Sequence, residues 1–185
     1  MARGRDRRGV RRPAWAEHLE ATGAEIDGPL ERIEEEWTRT GGLTALVVGL
    51  TGATARPVSG PAAQDPERLA RRVYAESPSS ADVRITKVRH VRHAWYDDLF
   101  RGLVERNAAW RRPAGPGTGR EDPAASLRRA VDDLALEVEL GFGEVRRAYR
   151  ITGSAGRRCE YDFAWVDHLL LTDGWAAVLH VGELD

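Results

Sequence analysis

The sequence predicts an α+β fold, with helices packed on a mostly antiparallel sheet that ends in a C-terminal β-meander. Three observations lead there. Stretches near the N-terminus and in the middle repeat apolar residues at helical spacing, as in Leu30, Ile33 and Trp37. The C-terminal third alternates with a period of two. Within it, Thr172-Asp173-Gly174-Trp175 is an Asp-Gly hairpin signal between two apolar runs.

The elements follow in chain order. Residues 1–13 are rich in Gly and Arg, have no apolar periodicity, and are expected to form a disordered arm. Residues 14–185 are expected to form one domain. Trp15, Leu19 and Thr22 share a helical face, and Asp27-Gly28-Pro29 breaks that helix and starts another. The run LTALVVGL at 43–50 predicts a buried strand. Thr51–Thr54 predicts a turn, and 55–59 an edge strand limited by Pro57. Asp65-Pro66-Glu67 combines a cap residue, a proline at the first helical position and an acid in the first turn, so a helix with Leu69, Val73 and Tyr74 on its apolar face should follow.

Residues 83–91 predict a strand. A helix over about 94–110 carries the stripe Trp95, Leu99, Phe100, Leu103 and Val104. Residues 111–122, with two Pro and three Gly, predict a flexible loop. Asp122-Pro123 starts a short helix through Leu127, Ala130, Val131 and Leu134, after which Leu134, Leu136, Val138, Leu140 and Phe142 read with period two as a strand, with helix as the alternative as far as Val138. Residues 145–152 predict a strand and 153–156 a turn. Cys159, Tyr161, Phe163 and Trp165 alternate on one face of the next strand. If Thr172 pairs with Trp175 across the Asp-Gly turn, Asp167 faces His180 and His168 faces Leu179.

Composition limits the function classes. The chain is 42% hydrophobic and 31% charged with a net charge of −1, which argues against a nucleic-acid binder by overall charge. The charges are segregated, however. Arg3, Arg5, Arg7, Arg8, Arg11 and Arg12 stand against Asp6 alone in the arm, while residues 17–36 are strongly acidic. A single cysteine, Cys159, excludes an internal disulfide and a cysteine metal cluster, and favours a reducing, cytoplasmic setting. No apolar run reaches membrane-spanning length, and no apolar segment follows the basic start, so neither a membrane span nor a secretory signal is expected. Phosphate-loop, nucleophile-elbow, zinc-protease and calcium-loop patterns are absent, and no cofactor is expected.

Several groups are chemically suggestive. An acid facing a histidine across two strands can orient a general base, which makes Asp167 and His180 the candidate catalytic pair. His90, His93 and Asp97 supply imidazole and carboxylate ligands at spacing suited to a divalent metal. Trp15 and Trp110 border the arm and the loop and, with the arm arginines, are the candidate partner contacts. One binding cleft is expected between helix 94–110 and the meander. The leading reading is a non-catalytic interaction or regulatory module of a bacterial-type cytoplasmic protein, binding a protein partner or a second copy. The alternatives are a small-molecule-binding or enzymatic domain using the His/Asp residues, and nucleic-acid contact through the arm.

Overall fold

The computed structural model describes residues 13–40, 45–56, 64–76, 80, 83–92, 94–107, 123–154 and 164–184. The arm arginines, His93, Trp110, the 111–122 loop and Cys159, Tyr161 and Phe163 lie outside these residues. The helices are α1 (Ala14–Thr22), α2 (Asp27–Arg39), α3 (Pro66–Ala75), α4 (Trp95–Arg106) and α5 (Pro123–Phe142). The strands are β1 (Ala45–Ala55), β2 (Arg84–His90), β3 (Arg147–Ser154), β4 (Ala164–Leu171) and β5 (Trp175–Leu184). They form one antiparallel sheet in the order β1-β5-β4-β3-β2, with β3, β4 and β5 as the meander.

Strand alternation divides the apolar residues between two cores. Ala148, Leu170, Ala177, Leu179 and Val181 meet α2, α4 and α5 on one face of the sheet. Ile151, Leu169, Leu171, Ala176 and Val178 meet α3 on the other. The meander is therefore buried on both faces, which explains why residues 169–171 and 176–179 are continuously apolar.

Local signals act where expected. The Asp65 carboxylate accepts from the Glu67 and Arg68 N–H groups at 3.0 and 3.2 Å, capping α3. Leu30, Ile33 and Trp37 are buried along α2. At the β4–β5 turn, the Thr172 N–H donates to the Trp175 carbonyl at 3.0 Å, and the register pairs Asp167 with His180 and His168 with Leu179.

Two expectations are corrected. The turn at 51–54 does not form: β1 runs on to Ala55, pairing with β5 throughout, with a bulge between Leu50 and Gly52. Ala53 and Thr54 are buried there, so burial along β5 overrides the local turn chemistry. Of the return strand at 55–59, residues 57–59 lie outside the described residues.

The second correction concerns residues 134–142, where the helix continues to Phe142 and no strand forms. Leu134, Val138 and Phe142 satisfy both periods, since positions four apart share a face in either element. Leu136 and Leu140 separate the two readings, and at 66% and 56% exposure they point away from the core. The segment LALEVELGF is rich in Leu, Ala and Glu, which favour helix over strand. Gly141 lets α1 approach this helix, since a Cβ there would lie 2.4 Å from Leu19 Cδ2.

Candidate functional site

Asp167 and His168 are neighbours on β4, so they point to opposite faces of the sheet. Each anchors a buried polar network, and the sheet lies between the two.

On the α3 side, Asp167 is fully buried. One carboxylate oxygen accepts from the Tyr74 hydroxyl at 2.5 Å, and the other lies 2.7 Å from His180 Nδ1. An ionised Asp167 requires the proton on Nδ1, which fixes the tautomer and orients the ring. The His180 side chain is 10% exposed and lies beside the Trp165 ring. Chemically this is the base-and-orienter half of a general-base arrangement. It is also a fully satisfied buried carboxylate that ties α3 to two central strands.

On the opposite face, His168 Nε2 lies 3.0 Å from the Asp98 carboxylate of α4, with Arg150 of β3 at 3.8 Å from the same oxygen. His168 Nδ1 is buried without a hydrogen-bond partner among the described residues, so the assignment that satisfies the pair puts the proton on Nε2. The hydrogen bond from His168 holds the Asp98 carboxyl below its ordinary pKa, against the opposing effect of burial, and the charges of His168, Arg150 and Arg101 add to it. Nearby, Arg106 pairs with Glu183 at 3.4 Å. Burial lowers the Arg106 pKa, and Glu183 partly restores it.

These groups line a cleft between α4 and the sheet, floored by Val166, His168 and Val181. The expected cleft exists, but it encloses only about 10 Å³ of water-accessible space, room for about one water molecule.

A pH dependence follows from the Asp98 pair. Its folded pKa is depressed, so its contribution to stability is present above the unfolded value near ~4 and is lost as pH falls through the folded value. The stability gap between the wild type and Asp98→Asn, measured by urea unfolding, should hold at pH 5 and above and shrink towards pH 3. A gap that does not change with pH would show that the Asp98 charge is not used.

The remaining sequence candidates are dispersed. His90 sits on β2 with its ring edge-on to Tyr149 at 5.3 Å. Asp97, in the first turn of α4, is taken by Arg128 of α5 at 2.6 Å. Arg128 also lies over the Tyr96 and Phe100 rings, at 5.5 and 5.4 Å from their centroids. Among the described residues, no group of three or more His, Cys, Asp or Glu side chains could hold a metal ion. Trp15 packs, half-buried, against the larger core.

Sequence reasoning missed Tyr74 as a polar partner, and also Asp98 and Arg150. It also missed His18, whose ring stacks on Trp175 at 4.7 Å and donates from Nε2 to the Gly141 carbonyl at 2.8 Å. A tyrosine on an apolar helix face was the available signal, since its buried hydroxyl needs a partner.

No helix among the described residues is long and apolar enough to cross a membrane. No protein-family model, curated protein or solved structure matches the chain.

Proposed function

We propose that the chain is a protein-interaction module that docks a basic partner segment on the outer face of α5. The observation that carries this reading is the pair Leu136 and Leu140, the large hydrophobic residues that stand exposed among the described residues. They are four apart, so they form one apolar ridge on the helix. Exposed Asp132, Asp133, Glu139 and Glu144 lie near it in sequence, and the first two and Glu144 also meet Arg128, Arg32 and Arg146 in surface ion pairs.

Apolar anchors inside a charged rim are the anatomy of a protein contact. Two leucines make a small patch, suited to a weak or transient contact and not to a permanent one. Covering them would contribute on the order of 2–4 kcal/mol before association costs. Glu139, together with the acids whose surface ion pairs a partner can exchange, favours a cationic partner and speeds encounter. By contrast, the two His/Asp networks lie on opposite faces of the sheet and are filled by their own partners, which favours a scaffolding role for them.

The test compares captured proteins, by quantitative mass spectrometry, between immobilised wild type and the double variant Leu136→Glu/Leu140→Glu. Both changes are on the surface and should leave stability within about 0.5 kcal/mol. The proposal expects a defined set of cationic proteins retained by the wild type and lost by the variant. Identical capture by both proteins would remove the α5 face from consideration.

A further inference from the structure

We infer that the β2–β3 edge of the sheet binds single-stranded nucleic acid through its phosphate backbone. The two edges of the sheet differ. β1 is covered by α2, whose Glu34 accepts the Val48 N–H at 2.8 Å. β2 forms the opposite edge, with five of its seven residues exposed.

Residues 84–92 contain Arg84, Lys87, Arg89, His90 and Arg92 and no acid. On the neighbouring strand, Arg147 adds a further exposed cation. None of Arg84, Lys87, Arg89, Arg92 and Arg147 has a carboxylate within ion-pair distance among the described residues. The cross-strand register sets Arg89 directly opposite Arg150. Arg150 is offset by the Asp98 carboxylate at 3.8 Å, which leaves Arg89 as the open cation of the pair.

Glu139 and Glu144 share a surface pocket with Arg92 and Arg147 and offset part of the field there, whereas Arg84, Lys87 and Arg89 lie outside that pocket. The acids of α2 sit against β1, at the far side of a five-stranded sheet. Four inter-strand spacings put them about 19 Å away, roughly two Debye lengths at physiological salt.

Charged residues on an edge strand also deter pairing with other chains, and Lys87 alone could serve that purpose. Three cations on β2, with Arg92 just after it, exceed the need. On the other face of the same edge, the exposed His90 and the adjoining Tyr149 form an aromatic pair that a base of a strand following the edge can stack on. A single strand is favoured over a duplex by size: a five-stranded sheet is too wide for a major groove about 12 Å across. The two surfaces adjoin at the pocket where Arg92 and Arg147 meet Glu139 and Glu144, but this inference does not depend on the α5 reading.

The test uses the full-length chain, arm included, and fluorescence anisotropy of a labelled 20-nucleotide single-stranded DNA or RNA at several salt concentrations. The probes compare wild type with Arg84→Gln/Lys87→Gln/Arg89→Gln/Arg92→Gln, whose folding is checked by circular dichroism. The expected result is salt-sensitive binding by the wild type. In the variant, affinity at 0.1 M salt should fall at least about tenfold, and the log–log salt slope should become shallower by about 3, near 0.7 for each cation removed. If the quadruple variant does not fold, Lys87→Gln/Arg92→Gln should give about half that change in slope. Three outcomes overturn the inference: no binding by the wild type, equal binding by the variants (which would locate binding in the arm), or equal competition by polyglutamate.

Discussion

Replacing Asp167 with alanine is expected to destabilise the fold by about 3–5 kcal/mol, within the sum of about 1–3 kcal/mol for each of the two buried polar groups that lose its carboxylate. At this chain length that corresponds to a melting temperature lower by roughly 6–20 °C. Asp167 is fully buried and serves both the Tyr74 hydroxyl and His180 Nδ1. The truncation therefore takes the carboxylate acceptor from two polar groups in the layer between α3 and the sheet. Tyr74→Phe removes one donor and keeps the ring, so its cost should be smaller, about 1–3 kcal/mol. Thermal melts of the two variants give the comparison. A loss for Asp167→Ala no greater than that for Tyr74→Phe would show that the carboxylate is not the centre of the network.

A second large contrast is expected between adjacent leucines of α5. Leu134→Ala should cost about 2–5 kcal/mol, because Leu134 is fully buried and its loss leaves a cavity between α5 and its neighbours. Leu136→Ala should change stability by no more than about 0.5 kcal/mol, because that side chain is 66% exposed. In a strand the two residues would share one face and give similar losses. Denaturant unfolding of the pair therefore tests the helix directly, and comparable losses would count against it.

The legible parts of this chain are those governed by short-range rules. The Asp65-Pro66 start of α3 needs only its own backbone N–H groups. The Asp-Gly turn sets the β4–β5 register, and with it the meeting of Asp167 and His180. Half of the α3-side network was thus readable from one hairpin. Its other half was not, since Tyr74 lies 93 residues from Asp167 and no local pattern joins them. The same holds for His168 and Asp98, 70 residues apart and brought together by the packing of α4 on the sheet.

Residues 134–142 show why pattern alone can fail. Leu134, Val138 and Phe142 fit both periods, and only the surroundings decide where Leu136 and Leu140 point. Continuing the helix buries Ala135 as well, a residue that the alternating pattern had placed on the outer face. The turn expected at 51–54 was lost in a similar way, because pairing along the whole of β5 outweighs a local preference worth little by itself.

By itself, then, the sequence determined the α+β class, the starts of most elements and the C-terminal register, because capping, periodicity and two-residue turns act within a few residues. The tertiary structure alone decided that β1 continues past Gly52 and that α5 is one long helix. It also decided that the two histidine–aspartate pairs lie back to back and that the exposed cations of β2 lie at the edge far from α2. Each of these depends on which distant surfaces become neighbours, and long-range burial settles that at energies larger than any local propensity.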